Sequence, residues 1–144
     1  MSNKHARITE FAAQFSGTGV DSRYAGYFVL FNRAEYFEAH DVLEDLWLPD
    51  RRGPNGDFYK GLIQLAGAFV HLQKNRLRPA DALFKLAEKT LEPYPDVHEQ
   101  LNLAAVRLMI FGWRRHLERN EFVINPLTPL NRPQLALQRY LNVP

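Results

Sequence analysis

Cysteine is absent from this chain of 144 residues. That excludes a disulfide framework, thiolate-held zinc or iron–sulfur clusters, and a thiol nucleophile. Serine is scarce, and neither a Gly-x-Ser-x-Gly turn nor a glycine-rich phosphate loop occurs, which removes the commonest devices of hydrolases and nucleotide-binding enzymes. No apolar run approaches the ~20 residues that span a bilayer. The opening MSNKHARITE has no signal-peptide apolar core, so a cytoplasmic protein with no membrane partner is expected. Charge of one sign is also missing. With 18 basic and 16 acidic residues the net charge is +2, too balanced to imply nucleic acid as a partner. Strand-like alternation is confined to Glu121–Ile124, and there is no internal repeat.

What remains is ordinary globular composition, 46% hydrophobic and 24% charged, at a length that fits one domain. The spacing predicts an all-α, compact helical bundle: a three-helix core over 22–32, 34–48 and 57–75, with further helices near 79–92 and 97–119 packed on it. Asp21 or Ser22 caps the first of these helices. Asn32 with Glu35, and Asp96 with Glu99, have the spacing of capping boxes that open the helices at 34 and 97. Pro49 cannot continue a helix, residues 49–56 are turn-formers, and Pro79 suits a first turn. Residues 1–20 form an N-terminal arm in which Ile8, Phe11, Ala12 and Phe15 have helical spacing until Ser16–Gly19 ends it. The single helical domain is placed at 21–119. Residues 120–144 form a Pro-rich C-terminal tail, with one short helix over Leu135–Leu141, that packs on the bundle or on a second subunit.

One stretch concentrates polar residues on a helix that must also be buried. With successive residues 100° apart, Tyr36, Phe37, His40, Leu43, Glu44 and Trp47 share an arc, Asp41 lies at its edge, and Glu35, Glu38 and Asp45 fall mostly outside. That arc should face the core. An ionisable pair there needs partners. On the next helix Gly61, Gln64, Ala68, His71 and Asn75 share a face, and its small residues let another helix approach. In an antiparallel hairpin Gln64 falls opposite His40–Glu44 and His71 nearer Tyr36. The expectation is a buried His40–Glu44–Gln64 network beneath Trp47.

These two helices resemble the signature of the domain of unknown function family 309, small all-helical proteins of bacteria, archaea and plants. The family pattern runs aromatic, Glu-x-His-Glu-x-Leu-Glu-x-x-Trp, a loop, then Gly-x-Ile-Gln-x-Ala-x-Ala. Tyr36, Glu38, His40, Leu43, Glu44, Trp47, Gly61, Ile63, Gln64, Ala66 and Ala68 fit it. Asp41 stands where the family usually has Glu, and Lys74-Asn75 where it has Gly-Asn. The resemblance covers residues 22–92 and implies a compact helical bundle. It supplies no activity.

Three readings of the cluster follow. Tyr36, Glu38, His40, Asp41, Glu44, Trp47, Gln64 and His71 make up a ligand-binding or polar cluster, and its favoured role is to fix the pairing of the two helices. His40 and Glu44 are the catalytic candidates if the protein is a small acid–base enzyme, although a nucleophile or oxyanion device is missing. No cofactor is expected. A bound metal is the lesser alternative, with His40, Glu44 and His71 as candidate ligands, since the His-Glu-x-x-His zinc motif is not present. His98 and His116 are expected at the solvent-facing ends of their helix. Arg107, Arg114, Arg115 and Arg119 beside Trp113 read as cations placed favourably toward a helix C-terminus rather than as a nucleic-acid surface. The 10 Phe, 6 Tyr and 2 Trp, with the apolar tail residues Phe122, Leu127, Leu130, Leu135, Leu137, Tyr140 and Leu141, suggest a homo-oligomer. A binding or interaction module is therefore favoured over an enzyme centred on His40 and Glu44.

Overall fold

The computed structural model describes residues 3–138. Six helices run in the order α1 Asn3–Ala12, α2 Ser22–Asn32, α3 Tyr36–Trp47, α4 Gly56–Gln73, α5 Leu77–Leu91 and α6 Leu103–Arg119. One-turn 3-10 segments follow α1 and α3. The only sheet among the described residues is a two-stranded hairpin, β1 Val97–His98 and β2 Leu101–Asn102. The all-α expectation therefore holds. No described helix is long and apolar enough to cross a membrane.

The core is aromatic and continuous. Tyr27 stacks on Phe31 at 5.8 Å, Phe31 meets Tyr36 edge-on at 5.1 Å, and Tyr36 stacks on Phe69 at 5.0 Å. Phe69 in turn meets Phe84 at 5.2 Å and Trp113 at 5.1 Å. This ring chain ties α2 through α6 together, and each such pair is worth about 0.5–1.5 kcal/mol beyond the area it buries. Tyr27 is fully buried and donates its hydroxyl hydrogen to the Leu62 carbonyl at 2.7 Å. The small residues of α4 have a different neighbour from the one expected. A Cβ on Gly61 would lie 2.5 Å from Leu91, and one on Gly67 3.0 Å from Leu83. The close approach is that of α5, not of α3.

Helix ends follow local chemistry that the sequence showed only in part. Asp21 caps α2, its carboxylate accepting from the Arg23 amide at 2.8 Å. Three helices close in the same manner. The amides of Glu35, Arg76 and Phe122 reach back to the carbonyls of Leu30, His71 and Leu117. The residues just before them, Ala34, Asn75 and Glu121, have φ of 62°, 58° and 54°. This double closure usually has glycine at the left-handed position. Lys74-Asn75 keeps the closure at α4 with asparagine, a residue that tolerates that conformation.

Three expectations need correction here. Asn32 and Glu35 form no capping box, because the Asn32 amide is engaged with Leu135 and Glu35 is itself the cap position without a side-chain bond. Asp96 and Glu99 open no helix. The chain turns at Glu99 and Gln100, both at positive φ, and α6 starts only at Leu103, where Asn102 accepts from the Ala105 amide at 3.0 Å. Residues 135–138 are extended rather than helical, with Leu137 bridging Leu101, while 139–141 lie outside the described residues. Glu121–Ile124 forms no strand but a turn.

The segment after α6 runs back over the helices. Asn125 donates to the Leu72 carbonyl at 2.6 Å, and Asn32 both donates to and accepts from the Leu135 backbone at 2.7 Å. Phe122, Leu127, Leu135 and Leu137 pack on the chain's own core, whereas Leu130 is 96% exposed. Much of the apolar surface that suggested an oligomer is thus covered within one chain.

Candidate functional site

The stripe that α3 buries is Tyr36, Ala39, Val42 and Leu43. It is rotated from the arc expected, which placed Phe37, His40 and Glu44 inward. Phe37 is 57% exposed, and the His40, Asp41 and Glu44 side chains retain 29%, 22% and 31% of their exposure. The physical reason is simple. Ala39 and Val42 lose no hydration of charge on burial, so the helix rolls to put them inward and leaves the ionisable residues at the boundary.

At that boundary three side chains converge. His40 Nδ1 lies 3.1 Å from Asp41 Oδ1, and one ligand-type atom from each of His40, Asp41 and Glu44 falls within 4.8 Å of the others. Phe37 stacks parallel to the His40 ring at 6.2 Å. A basic residue from α1 closes the group: Lys4 Nζ stands 3.3 Å from Asp41 Oδ1 and 3.5 Å from Glu44 Oε1. Partial burial opposes the charge on Lys4, but the two carboxylates outweigh it and raise its pKa. One residue on, His5 Nδ1 lies 2.7 Å from Asp45 Oδ1, and Arg23 donates to the other oxygen of Asp45 at 2.9 Å. Burial pushes the Asp45 carboxyl upward, and the bonds from His5 and Arg23 more than reverse it, leaving the pKa lowered.

Beside this triad, α1 and α3 enclose a groove of about 270 Å³. Ile8, Phe11, Leu30 and Val42 give it an apolar floor. Glu35, Glu38 and Asp41 line one side, facing Lys4 and Arg7.

The expected His40–Glu44–Gln64 network does not form. His40 bonds to Asp41, Glu44 meets Lys4, and the buried Gln64 Oε1 has no partner. Trp47 Nε1, His71 Nδ1 and the Tyr36 hydroxyl are likewise buried and unpartnered. None of Tyr36, Trp47, Gln64 and His71 hydrogen-bonds to the triad. Tyr36 sits in the aromatic core, where burial pushes its hydroxyl up to about 12 despite the nearby charge of Arg132. His71 is lowered by burial, then by Arg76 and Lys74, and is not part of the metal-competent group.

Among the other histidines, His98 is not solvent-facing. Its Nε2 is 2.7 Å from Asn55 Oδ1 and its ring packs on Phe58 at 4.7 Å. His116 is exposed, as expected. Arg107 pairs with Asp96 and Arg114 with Asp81 and Glu88, each at 3.1 Å, so the arginines of α6 do not form a uniform free stripe. The side chains at this charged boundary that sequence reasoning missed are Lys4, His5 and Arg23. The signal available was charge complementarity, a basic start to an amphipathic segment in a chain that also holds an acid-rich helix.

Fold and site together define a small helical-bundle domain with a charged groove on one face. Residues 24–83, from α2 into α5, match the model of the family described as Domain of unknown function (DUF309). The helix α1 and its basic residues lie before the matched segment. The chain is 31% identical over 87 residues to the uncharacterized protein YpuF of Bacillus subtilis (strain 168), a stretch that is 60% of this chain and 50% of that protein. This chain thus spans about half the length of the curated relative it matches. No solved structure matches it.

Proposed function

We propose that the protein is a non-catalytic binding module whose acidic α3 face takes a basic amphipathic helix. The observation that carries this is Lys4, held between Asp41 and Glu44 while Ile8 and Phe11 of the same helix floor the adjoining groove. In this reading α1 occupies within its own chain the place a partner helix takes, following the helix-in-groove mode with charge for register. Gly17 and Gly19, both at positive φ in the connection to α2, give α1 a pivot. The α3 face that α1 vacates then accepts α1 of a second copy, which supplies a route to the expected homo-oligomer by exchange.

A peptide of residues 3–15, fluorescently labelled and titrated into the full chain, tests this. Saturable binding is expected, tighter to a Lys4→Glu chain whose own α1 is repelled. It should be weakened about ten-fold or more by Asp41→Lys with Glu44→Lys, the scale of losing charged hydrogen bonds. Equal binding to the charge-reversed chain sinks the proposal.

One observation favours a second reading, metal binding: the ligand atoms of His40, Asp41 and Glu44 lie within 4.8 Å of one another. An imidazole with two carboxylates suits a borderline divalent ion. Lys4 competes for the same oxygens, so this reading expects Lys4→Gln to strengthen zinc or manganese binding measured by calorimetry. No heat of binding with either chain removes it. Acid–base catalysis by His40 and Glu44 has less support, because Glu44 faces Lys4 rather than His40.

A further inference from the structure

A larger cavity, of about 480 Å³, lies away from α1, between the α2–α3 corner, the end of α4 and the returning chain. Its charged lining is Arg33 and Arg132, and no acidic residue lines it. Among the described residues neither guanidinium has a hydrogen-bond or ion-pair partner, in contrast to Arg23, Arg107 and Arg114. Both arginine residues are exposed, so their charge is available to a ligand from solvent.

We propose that this cavity binds the oxyanion group of a small phosphate-bearing molecule, held between Arg33 and Arg132. Guanidinium forks match phosphate oxygens two at a time, and an arginine pair without a carboxylate is the arrangement that selects such a group. The volume is that of a small-molecule site rather than of a bare ion. Two helix C-termini border the cavity, and their carbonyl ends would repel an anion. Those ends are already covered. Gln73 donates to the Ala34 carbonyl at 2.8 Å, Asn125 donates to the Leu72 carbonyl at 2.6 Å, and the backbone closures at Ala34 and Asn75 take up others. Thr128 Oγ1 accepts from the Leu130 amide at 3.2 Å, which leaves its own hydrogen to donate. The charge of Arg132 is also felt at the buried, unpartnered hydroxyl of Tyr36. No acidic residue in the cavity's lining offsets the two guanidinium charges. The cavity shares no residue with the groove of α1, so its ligand is independent of that groove's occupant.

Calorimetric titration of the full chain with inorganic phosphate, glucose 6-phosphate and citrate tests the assignment. Saturable binding of glucose 6-phosphate is expected, tighter than that of inorganic phosphate. Arg33→Gln and Arg132→Gln should each weaken it about ten-fold or more, the loss of one charge-assisted contact. Arg33→Lys keeps the charge and loses the fork, so it should recover only part of the affinity. Urea midpoints of these variants, expected to match the parent because both side chains are exposed, separate lost binding from lost folding. The assignment is overturned by absence of saturable heat at millimolar ligand. It is equally overturned by unchanged affinity in the arginine double variant, or by citrate binding more tightly than either phosphate. A displaced urea midpoint in a variant calls for phosphorus NMR titration of Arg33→Lys instead, and full affinity there overturns the fork as the recognition element.

Discussion

Asn32 places both ends of its side-chain amide on the backbone of one residue, donating to the Leu135 carbonyl and accepting from the Leu135 amide at 2.7 Å each, while Gln134 reaches the Asn32 carbonyl at 3.0 Å. Replacing it with Ala removes both bonds and leaves the Leu135 backbone to find water. Asn32→Ala should lower stability by about 1–3 kcal/mol, with amides near Leu135 losing exchange protection first. Unchanged protection would show that the tail is held by packing alone. His71 gives a second residue-scale prediction, set by the sign of its shift. Burial, Arg76 and Lys74 depress its folded pKa below the usual 6.5. The unfolded chain therefore takes up the proton first. Stability is full above the unfolded value and declines as pH falls through that value, levelling off below the depressed folded one. Urea midpoints of the parent and of His71→Gln across this range check it, the variant losing that part of the slope.

At the scale of elements, the pairing of α4 with α5 rests on Gly61. A methyl group there meets Leu91 atoms at 2.5 Å. Alanine gains about 1 kcal/mol of helix propensity over glycine, but overpacking a well-filled core costs about 1–3 kcal/mol. Gly61→Ala is expected to be net destabilising in chemical denaturation, and Leu91→Ala added to it should be less harmful than the two single effects summed. Additive losses would mean that the contact relaxes freely. The same helix shows what was legible beforehand. Periodicity and prolines placed α2 to α5 closely, because their apolar faces and breakers are local signals. The hairpin at 97–102 was hidden, since its turn has Glu99 and Gln100 at positive φ where glycine or asparagine would have announced it. The rotation of α3 was hidden for another reason. An arc drawn through the largest side chains favoured Phe37 and Trp47, whereas burial follows the lowest loss of hydration and selects Ala39 and Val42. His40, Asp41 and Glu44 were recognisable as a group from spacing, but their partner Lys4 is distant in sequence and only the fold brings it near.

On the scale of the whole molecule, α1 is the element whose attachment depends most on charge. It joins α3 through Lys4 with Asp41 and Glu44, and through His5 with Asp45, while Phe11 lies against Gly26 of α2. The net effect of burial, His5 and Arg23 holds the Asp45 pKa below its ordinary value. Its contribution is therefore complete above the unfolded aspartate value of about 3.9 and disappears as pH falls through the lower folded value. Lys4 behaves in the opposite sense. Its folded pKa is raised, so its contribution is complete below the unfolded lysine value of about 10.4 and is lost as pH rises through the folded one. Docking of α1 should thus hold a plateau between these limits and loosen at each end, and added salt should lower the plateau because these pairs are partly exposed. Hydrogen exchange read by mass spectrometry, corrected for intrinsic rates, should show α1 losing protection relative to α4 between about pH 6 and about pH 3. Asp45→Asn should reduce that acid dependence and leave the alkaline limb, which belongs to Lys4. If α1 keeps the same protection at both acid conditions, the ion pairs do not hold the helix. Its apolar residues Ile8 and Phe11 would then account for the docking, and a partner helix would be recognised by shape rather than charge.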